Sequence, residues 1–270
     1  MRRIKVLSCL TSLLILLNSC QEVIDIKLKP GDLKVVIEGL VTNQPEPFVV
    51  KISRSEPFTE GNTFTKFENA SVTIRDDAGN VYVLSHVGDG VYKTTTPVQG
   101  VVGRTYYLTA IVDGVTYTAE DRLYSVPPID TMYYAYFTPD ATHFQEGYYV
   151  YASTSDPPNE KNYYLYKFFR NSDIVGNANT IYVNDDRFLS SQIRGVEIPG
   201  VFKEQDVVTM EQYSLSEKAF NFYNGLSLQM LSDGGFFTTP PANAPTNLSN
   251  GALGFFQASS VSRYTVTILP

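Results

Sequence analysis

The sequence contains no tryptophan, only two cysteines and only two histidines among its 270 residues. Cys9 and Cys20 both lie near the start, so the body of the chain has no disulfide framework and no thiolate metal cage. His86 and His143 are followed or flanked by turn residues, and we expect both on exposed loops. Without a Gly-x-Ser-x-Gly segment, a nucleophile with a neighbouring base is also missing. These absences favour a protein that is not an enzyme and that holds no metal and no cofactor.

Positive charge is also scarce, because 21 Lys and Arg residues face 28 Asp and Glu residues. Three of the basic residues, Arg2, Arg3 and Lys5, belong to a segment that we expect to be removed, which leaves 18 against 28. An acidic surface has the wrong sign for binding the phosphate backbone of a nucleic acid. We therefore expect no nucleic-acid partner.

The first twenty residues have the pattern of an export signal. A basic start precedes an apolar stretch from Val6 to Leu17, which is too short to cross a hydrocarbon layer of about 30 Å as a helix. The segment Leu17-Asn18-Ser19-Cys20 is typical of the site that bacterial lipoprotein signal peptidase cuts. We expect a signal peptide over 1–19, acyl chains such as palmitate on Cys20, and a tether over 20–30. A secreted protein with an incidental cysteine is the alternative.

Short β-branched and aromatic runs, separated by turn residues, fill the next part of the chain. Asp113-Gly114 between Val112 and Val115 is typical of a two-residue hairpin loop. The expected strands are Leu33–Val41, Phe48–Ser53, Ser71–Arg75, Val81–Ser85, Val91–Thr95, Thr105–Val112 and Val115–Leu123. This pattern predicts an immunoglobulin-like or transthyretin-like β-sandwich over residues 31–126.

Pro127-Pro128 marks an expected domain border, and residues 127–270 are predicted to form a Tyr-rich antiparallel β domain with one helix near 216–231. Tyr-Tyr-x-Tyr occurs three times, at 133–136, 148–151 and 163–166, which predicts a three-stranded meander. We expect the last strands, 253–258 and 263–269, to pair with each other.

Alternation along the three Tyr-rich strands predicts one aromatic face with hydroxyl groups. Its tyrosines, which are the candidate ligand- or partner-binding residues, are Tyr134, Tyr136, Tyr149, Tyr151, Tyr164 and Tyr166. Exposed rings would suit a ligand or a protein partner, whereas the same rings could instead lie beneath the helix. Both alternatives remain open from the sequence.

Several segments together resemble the outer-membrane lipoproteins of Bacteroidota that form domain-of-unknown-function family 4249. The matching segments are Cys20, Leu33–Gly39, Asn69–Ile74, Gly103–Leu108 with Tyr117–Ala119, Val126–Asp130, Ser214–Gln229 and Pro240–Ala258. The resemblance implies an outer-membrane lipoprotein of a kind often suspected to work beside TonB-dependent transporters. It implies no catalytic residues.

We therefore expect a lipid-anchored binding or accessory protein of the cell envelope, held in the outer membrane and working with a TonB-dependent transporter. The periplasmic and the cell-surface face of that membrane both stay open. One alternative is a surface glycan-active or other hydrolytic enzyme, and another is a passive structural or adhesive lipoprotein.

Overall fold

A computed structural model describes residues 33–56, 64–155, 161–176, 180–185, 192–231 and 242–270. The expected signal peptide, the tether and Cys20 lie outside these ranges. Residues Leu33–Pro270 form one compact unit. The described chain is mainly β, as the sequence predicts, with three sheets and a single helix.

The strands are numbered in chain order. They are β1 (Val35–Thr42), β2 (Val49–Arg54), β3 (Ser71–Asp76), β4 (Val81–Gly88), β5 (Val91–Thr94), β6 (Thr105–Val112), β7 (Val115–Arg122), β8 (Ile129–Phe137), β9 (Gly147–Ser155), β10 (Tyr163–Arg170), β11 (Asp173–Ile174), β12 (Tyr182–Asp185), β13 (Gln192–Glu197), β14 (Val207–Ser214), β15 (Leu253–Ser259) and β16 (Val261–Thr267). The helix, α1, is Glu217–Leu231 and matches the helix expected near 216–231.

The seven N-terminal strands and β15 form an eight-stranded sheet in the order β15-β1-β2-β5-β4-β3-β6-β7. All seven strands that the sequence predicts are present, and Asp113 and Gly114 adopt the positive φ angles, 48° and 79°, that their hairpin requires. The two outer strands, β15 and β7, lie against each other, so the sheet folds over one shared core. The sandwich is closed by a strand from the far end of the chain.

This closing strand corrects one expectation. β15 and β16 do not pair with each other, because β15 runs parallel to β1 and β16 pairs with β14. Phe256 on β15 is fully buried in the sandwich core, whereas Val261 packs in a different cluster beside α1. The ranges 31–126 and 127–270 are therefore joined through one sheet.

The Tyr-rich strands divide between two other sheets, so the predicted three-stranded meander is wrong. β8 and β9 pair as expected, but the other edge of β9 is taken by β13. β10 instead pairs with β14 over seven residues and also with β11 and β12. Long-range pairing of this kind has no local signal, since β10 and β14 are separated by more than thirty residues.

The five-stranded sheet is the middle layer of this half. One of its faces packs on the three-stranded sheet, and its other face carries α1. The ring of Phe220 on α1 lies 4.8 Å from that of Tyr163 on β10. The hydroxyl of Ser216 accepts a hydrogen bond of 3.1 Å from the backbone N–H of Ala219, which caps the start of the helix.

Candidate functional site

The six candidate tyrosines do not share one face. Residues directly opposite each other on antiparallel strands point to the same side, and Tyr133 lies opposite Tyr151 while Tyr136 lies opposite Tyr148. Tyr149 and Tyr151 are therefore on the side opposite to that of Tyr134 and Tyr136. The sequence prediction of a single aromatic face is wrong because a shift of one residue in register exchanges the two faces of a strand.

Their burial differs as well. Tyr149 and Tyr164 are buried, whereas Tyr134, Tyr151 and Tyr166 are half-buried. Only Tyr136 of the six is exposed, and its hydroxyl donates a hydrogen bond of 2.5 Å to Glu146. A continuous exposed platform is therefore not formed by these residues.

His143 also departs from the exposed position expected of it. It is 8% exposed, and its ring stacks on that of Phe137 with 3.7 Å between centroids. Its Nε2 lies 3.2 Å from the hydroxyl oxygen of Tyr151. His86 lies on β4 rather than in a loop, with its ring 5.2 Å from that of Tyr92. Both histidines are thus parts of aromatic packing.

A different site lies between α1 and the outer face of the sandwich. The cavity has a volume of about 460 Å³, and we call it the α1 groove. Its lining residues come from β1, β2, β10, α1 and β15: Glu38, Gly39, Leu40, Val49, Lys51, Lys167, Phe222, Tyr223, Leu226, Phe255 and Gln257.

Strand alternation explains how the sandwich supplies its part of the groove. Ile37 and Val41 point into the sandwich core, so Glu38 and Leu40 point outward. The pairing of β1 places Lys51 on one side of Glu38 and Phe255 on the other. The strand alternation that points Ile37 and Val41 into the core therefore places apolar and charged side chains together on the outer face of the sandwich.

Lys51 and Lys167 bring two positive charges to the groove. Lys51 is exposed, whereas Lys167 is half-buried with its Nζ 4.6 Å from the ring centre of Tyr213. Burial lowers the pKa of Lys167, against the opposing effect of Glu211. Within the described ranges neither lysine forms a salt bridge, and Glu211, which lies opposite Lys167, is held by Arg263 at 2.6 Å. Lys51 lies opposite Glu38, so the groove holds two ammonium groups and one carboxylate, an excess of one positive charge.

The helical wall of the groove contributes polar groups that are already paired. The hydroxyl of Tyr223 donates a hydrogen bond of 2.5 Å to Gln257, whose amide in turn donates one of 2.6 Å to Ser259. Burial raises the pKa of Tyr223, so this hydroxyl keeps its proton at neutral pH. The remaining lining consists of the carboxylate of Glu38 and of apolar groups that include Phe222 and Leu226. The groove can thus hold an apolar body while its lysines attract a negative group.

The sequence prediction missed this site because its residues lie on elements far apart in the chain. The available signal was a lysine flanked by apolar or aromatic residues in each of two strands, Lys51 and Lys167. The described ranges contain no group of three or more His, Cys, Asp or Glu side chains placed to hold a metal ion. In that same part of the chain, no helix has the length and apolar character that a membrane-spanning segment needs.

The fold and the groove define a mainly β protein in which a sandwich and a helix enclose a lysine-bearing cavity. The family model described as "Domain of unknown function (DUF4249)" matches residues 21–265. The chain therefore belongs to the DUF4249 family, as the sequence resemblance indicated. No curated protein matches the chain.

Among solved structures, the chain is similar to a segment of two fibronectin type-III domains from chicken tenascin. The two are 14% identical, the alignment covers 68% of this chain and 90% of that one, and the TM-score is 0.20.

Proposed function

We propose that the protein is a lipid-anchored binding protein of the cell envelope, and that the α1 groove takes a small molecule with an apolar body and one anionic group. The observation that carries this proposal is the placement of Lys51 and Lys167, without salt bridges among the described residues, against the single carboxylate of Glu38 around a mainly apolar cavity of about 460 Å³. Ligand sites commonly have volumes of about 300–1,000 Å³ and combine an apolar lining with a few polar groups.

The proposed location of the protein in the cell rests on its N-terminal sequence. The apolar segment ending at Cys20 supports an outer-membrane anchor, and two or more acyl chains give stable attachment where one chain gives only marginal binding. The resemblance to outer-membrane lipoproteins supports accessory work beside a TonB-dependent transporter. In this proposal the groove holds the ligand and the anchor keeps the protein near its partner.

The groove is tested with two probes that share one ring system. Naphthalene-2-sulfonate carries an anion, whereas 2-naphthylmethanol is neutral. We expect the full-length protein in nanodiscs to bind the sulfonate about fivefold more tightly in equilibrium dialysis, since one partly exposed ion pair contributes about 1 kcal/mol. Empty nanodiscs provide the blank.

Variants then locate the binding. Lys51→Met and Lys167→Met should each reduce sulfonate affinity and leave that of the alcohol nearly unchanged. Lys203→Met, at an exposed lysine outside the groove, is the control. Equal affinity for the two probes, or an equal loss in the control, would exclude the groove as an anion site.

The anchor and the partner are tested in cells of the source bacterium. Radiolabelled palmitate should enter the mature protein but not the Cys20→Ala variant, and the variant should leave the membrane fraction. A TonB-dependent transporter should be enriched when the wild-type protein is purified from detergent extracts. Purification of the lipoprotein with no transporter above the background of an unrelated lipoprotein would exclude the accessory role.

A further inference from the structure

A second cavity lies between the three-stranded sheet and the five-stranded sheet. It has a volume of about 230 Å³ and shares no lining residue with the α1 groove. We call it the inter-sheet pocket. Ala152 and Thr154 on β9 line it from one sheet, and Phe168, Tyr182 and Met210 line it from the other. The pocket thus adjoins the core that these two sheets share.

Strand pairing decides which side chains face the inter-sheet pocket. Alternation along β9 points the side chain of Thr154 to the same side as those of Val150 and Ala152, which are buried between the two sheets. Glu197 on β13 lies opposite Tyr151, and its carboxylate interacts with the hydroxyl of Tyr151 on the outer face. Glu197 is the one residue of charged type among the described lining residues. None of these lining residues therefore directs a charged group into the pocket.

The hydroxyl of Thr154 lacks a partner. Thr154 is 5% exposed, and its Oγ1 is buried without a hydrogen bond to any residue that the structure describes. A buried hydroxyl of this kind carries a free-energy cost, because it has lost its hydrogen bonds to water. Asn184, which is half-buried, adds an amide group to the lining. A ligand with an uncharged oxygen would supply the partner that Thr154 lacks.

Aromatic rings form one side of the pocket. Phe168 and Tyr182 meet edge to face with 5.2 Å between ring centres, and Tyr166 lies opposite Tyr182 and therefore on the same side of the sheet. Val196 lies opposite Ala152, so it also faces the pocket, yet it is 47% exposed. Val196 thus marks the entrance to a space whose walls suit a flat apolar body.

The volume and the charge limit the kind of ligand. A cavity of about 150 Å³ in another protein holds benzene, which has six non-hydrogen atoms. At the same filling, the 230 Å³ of this pocket correspond to about nine such atoms. An ionised group would lose its water here without meeting an opposite charge from the described lining, so a neutral molecule is favoured.

We propose that the inter-sheet pocket binds a small neutral molecule with an apolar body and one carbonyl or hydroxyl oxygen that forms a hydrogen bond with Thr154. This inference goes beyond the proposed function, because it assigns a second site that selects against charge. Its probes and variants differ from those of the α1 groove, so the two proposals can fail independently.

Three probes of equal size test the pocket. Acetophenone carries a neutral carbonyl oxygen, 2-phenylpropene has a CH₂ group in place of that oxygen, and benzoate is an anion. Equilibrium dialysis of the full-length protein in nanodiscs measures their binding, and empty nanodiscs correct for partition into lipid. Acetophenone and 2-phenylpropene should both bind saturably.

Variants of Thr154 decide whether its hydroxyl holds the ligand. Thr154→Val should lower the affinity for acetophenone about fivefold and leave that for 2-phenylpropene nearly unchanged, since one neutral hydrogen bond is lost. Thr154→Ser keeps the hydroxyl and should keep the binding of acetophenone. Thr131→Val is the matched control, because Thr131 is exposed and lies opposite Ser153 on the outer face of the same sheet.

A variant at the entrance locates the binding. Val196→Trp should abolish binding of acetophenone and 2-phenylpropene but leave that of benzoate, which suits the α1 groove, unchanged. The proposal is overturned by acetophenone affinity that is unchanged in Thr154→Val or equally reduced in Thr131→Val. It is also overturned by acetophenone binding that survives Val196→Trp, by loss of benzoate binding in that variant, or by no binding of acetophenone at millimolar concentration.

Discussion

Asp121 on β7 accepts a hydrogen bond of 2.9 Å from the backbone N–H of Ala258 on β15, across 137 residues of sequence. The bond lies where the two outer strands of the sandwich meet, and Asp121 is only 5% exposed. Burial raises the pKa of Asp121 to about 6, although the hydrogen bonds from Ala258 and Ser216 oppose this rise. The closure of the sandwich therefore depends on a carboxyl group that is costly to ionise.

This cost predicts a pH dependence of stability. Because the pKa of Asp121 is higher in the folded state than its ordinary value of 3.8, its favourable contribution is complete below pH 4 and is lost as the pH rises through about 6. Asp121→Asn should remove this dependence and raise the free energy of unfolding at pH 7 by about 1–3 kcal/mol relative to the wild type. Urea unfolding at pH 4 and pH 7 measures this, with exposed Asp130→Asn as control. An unchanged difference between the two pH values in Asp121→Asn would contradict the prediction.

The pKa of Asp76 is shifted in the direction opposite to that of Asp121. It is fully buried, yet it accepts hydrogen bonds from the backbone N–H of Ala78 and Asn80 and one of 2.7 Å from Arg104. Burial acts to raise the pKa of Asp76, but the hydrogen bonds from Asn80 and Arg104 outweigh it and the pKa is lowered. Its stabilising contribution is therefore present above the ordinary carboxyl pKa and is lost as the pH falls.

Removal of this carboxylate should be strongly destabilising. Asp76→Ala removes the common acceptor of Ala78, Asn80 and Arg104 and should lower the free energy of unfolding at pH 7 by about 2–4 kcal/mol. Urea unfolding provides the measurement, and exposed Glu68→Ala, which should change stability by less than about 0.5 kcal/mol, is the control. A loss in Asp76→Ala no larger than that of the control would show that this network contributes little.

Two glycines allow the pairing of β15 with β1 to be tested. Gly254 and Gly251 both have positive φ angles, +93° and +71°, but only at Gly254 would a Cβ meet another atom, the carbonyl oxygen of Ile37 at 2.2 Å. Gly251→Ala should cost about 1 kcal/mol for its backbone conformation alone. Gly254→Ala should cost at least about 2 kcal/mol more because it also forces β15 away from β1. Thermal unfolding compares the two, and equal losses would argue against the close pairing.

The lowered pKa of Lys167 predicts how anion binding in the α1 groove depends on pH. Burial favours the neutral amine, so Lys167 loses its charge at a lower pH than an ordinary lysine does. Affinity for naphthalene-2-sulfonate should therefore fall as the solution becomes alkaline. In Lys167→Arg the fall should move to higher pH, since guanidinium keeps its charge. Equilibrium dialysis between pH 7 and pH 10 measures both profiles, and superimposable curves would contradict a role for Lys167.

Local sequence patterns were sufficient for the strands of the sandwich. Alternation along Thr105–Val112 and the turn at Asp113-Gly114 indicate a hairpin that needs no distant partner. The helix was equally predictable from the sequence, because apolar residues recur at helical spacing after the cap at Ser216. Only its position over β10, rather than over the predicted aromatic face, required the tertiary structure.

Long-range pairing explains what the sequence could not predict. The partner of β1 lies more than 200 residues away in β15, and no pattern within either strand selects the other. The register of β8 on β9 decides which tyrosines share a face, and the three similar motifs gave no way to choose it. The α1 groove depends on long-range pairing, because Lys51 and Lys167 belong to different sheets and meet only after these are assembled.

The central claim, that the α1 groove binds an anionic apolar molecule, is tested most directly by methyl NMR of the full-length protein in nanodiscs during titration with naphthalene-2-sulfonate. The signals of Leu40 and Leu226, which line the groove, should shift and saturate, while those of Leu84 and Leu108 in the sandwich core should not move. Saturable shifts confined to other residues, or no shift at Leu40 and Leu226, would contradict the account.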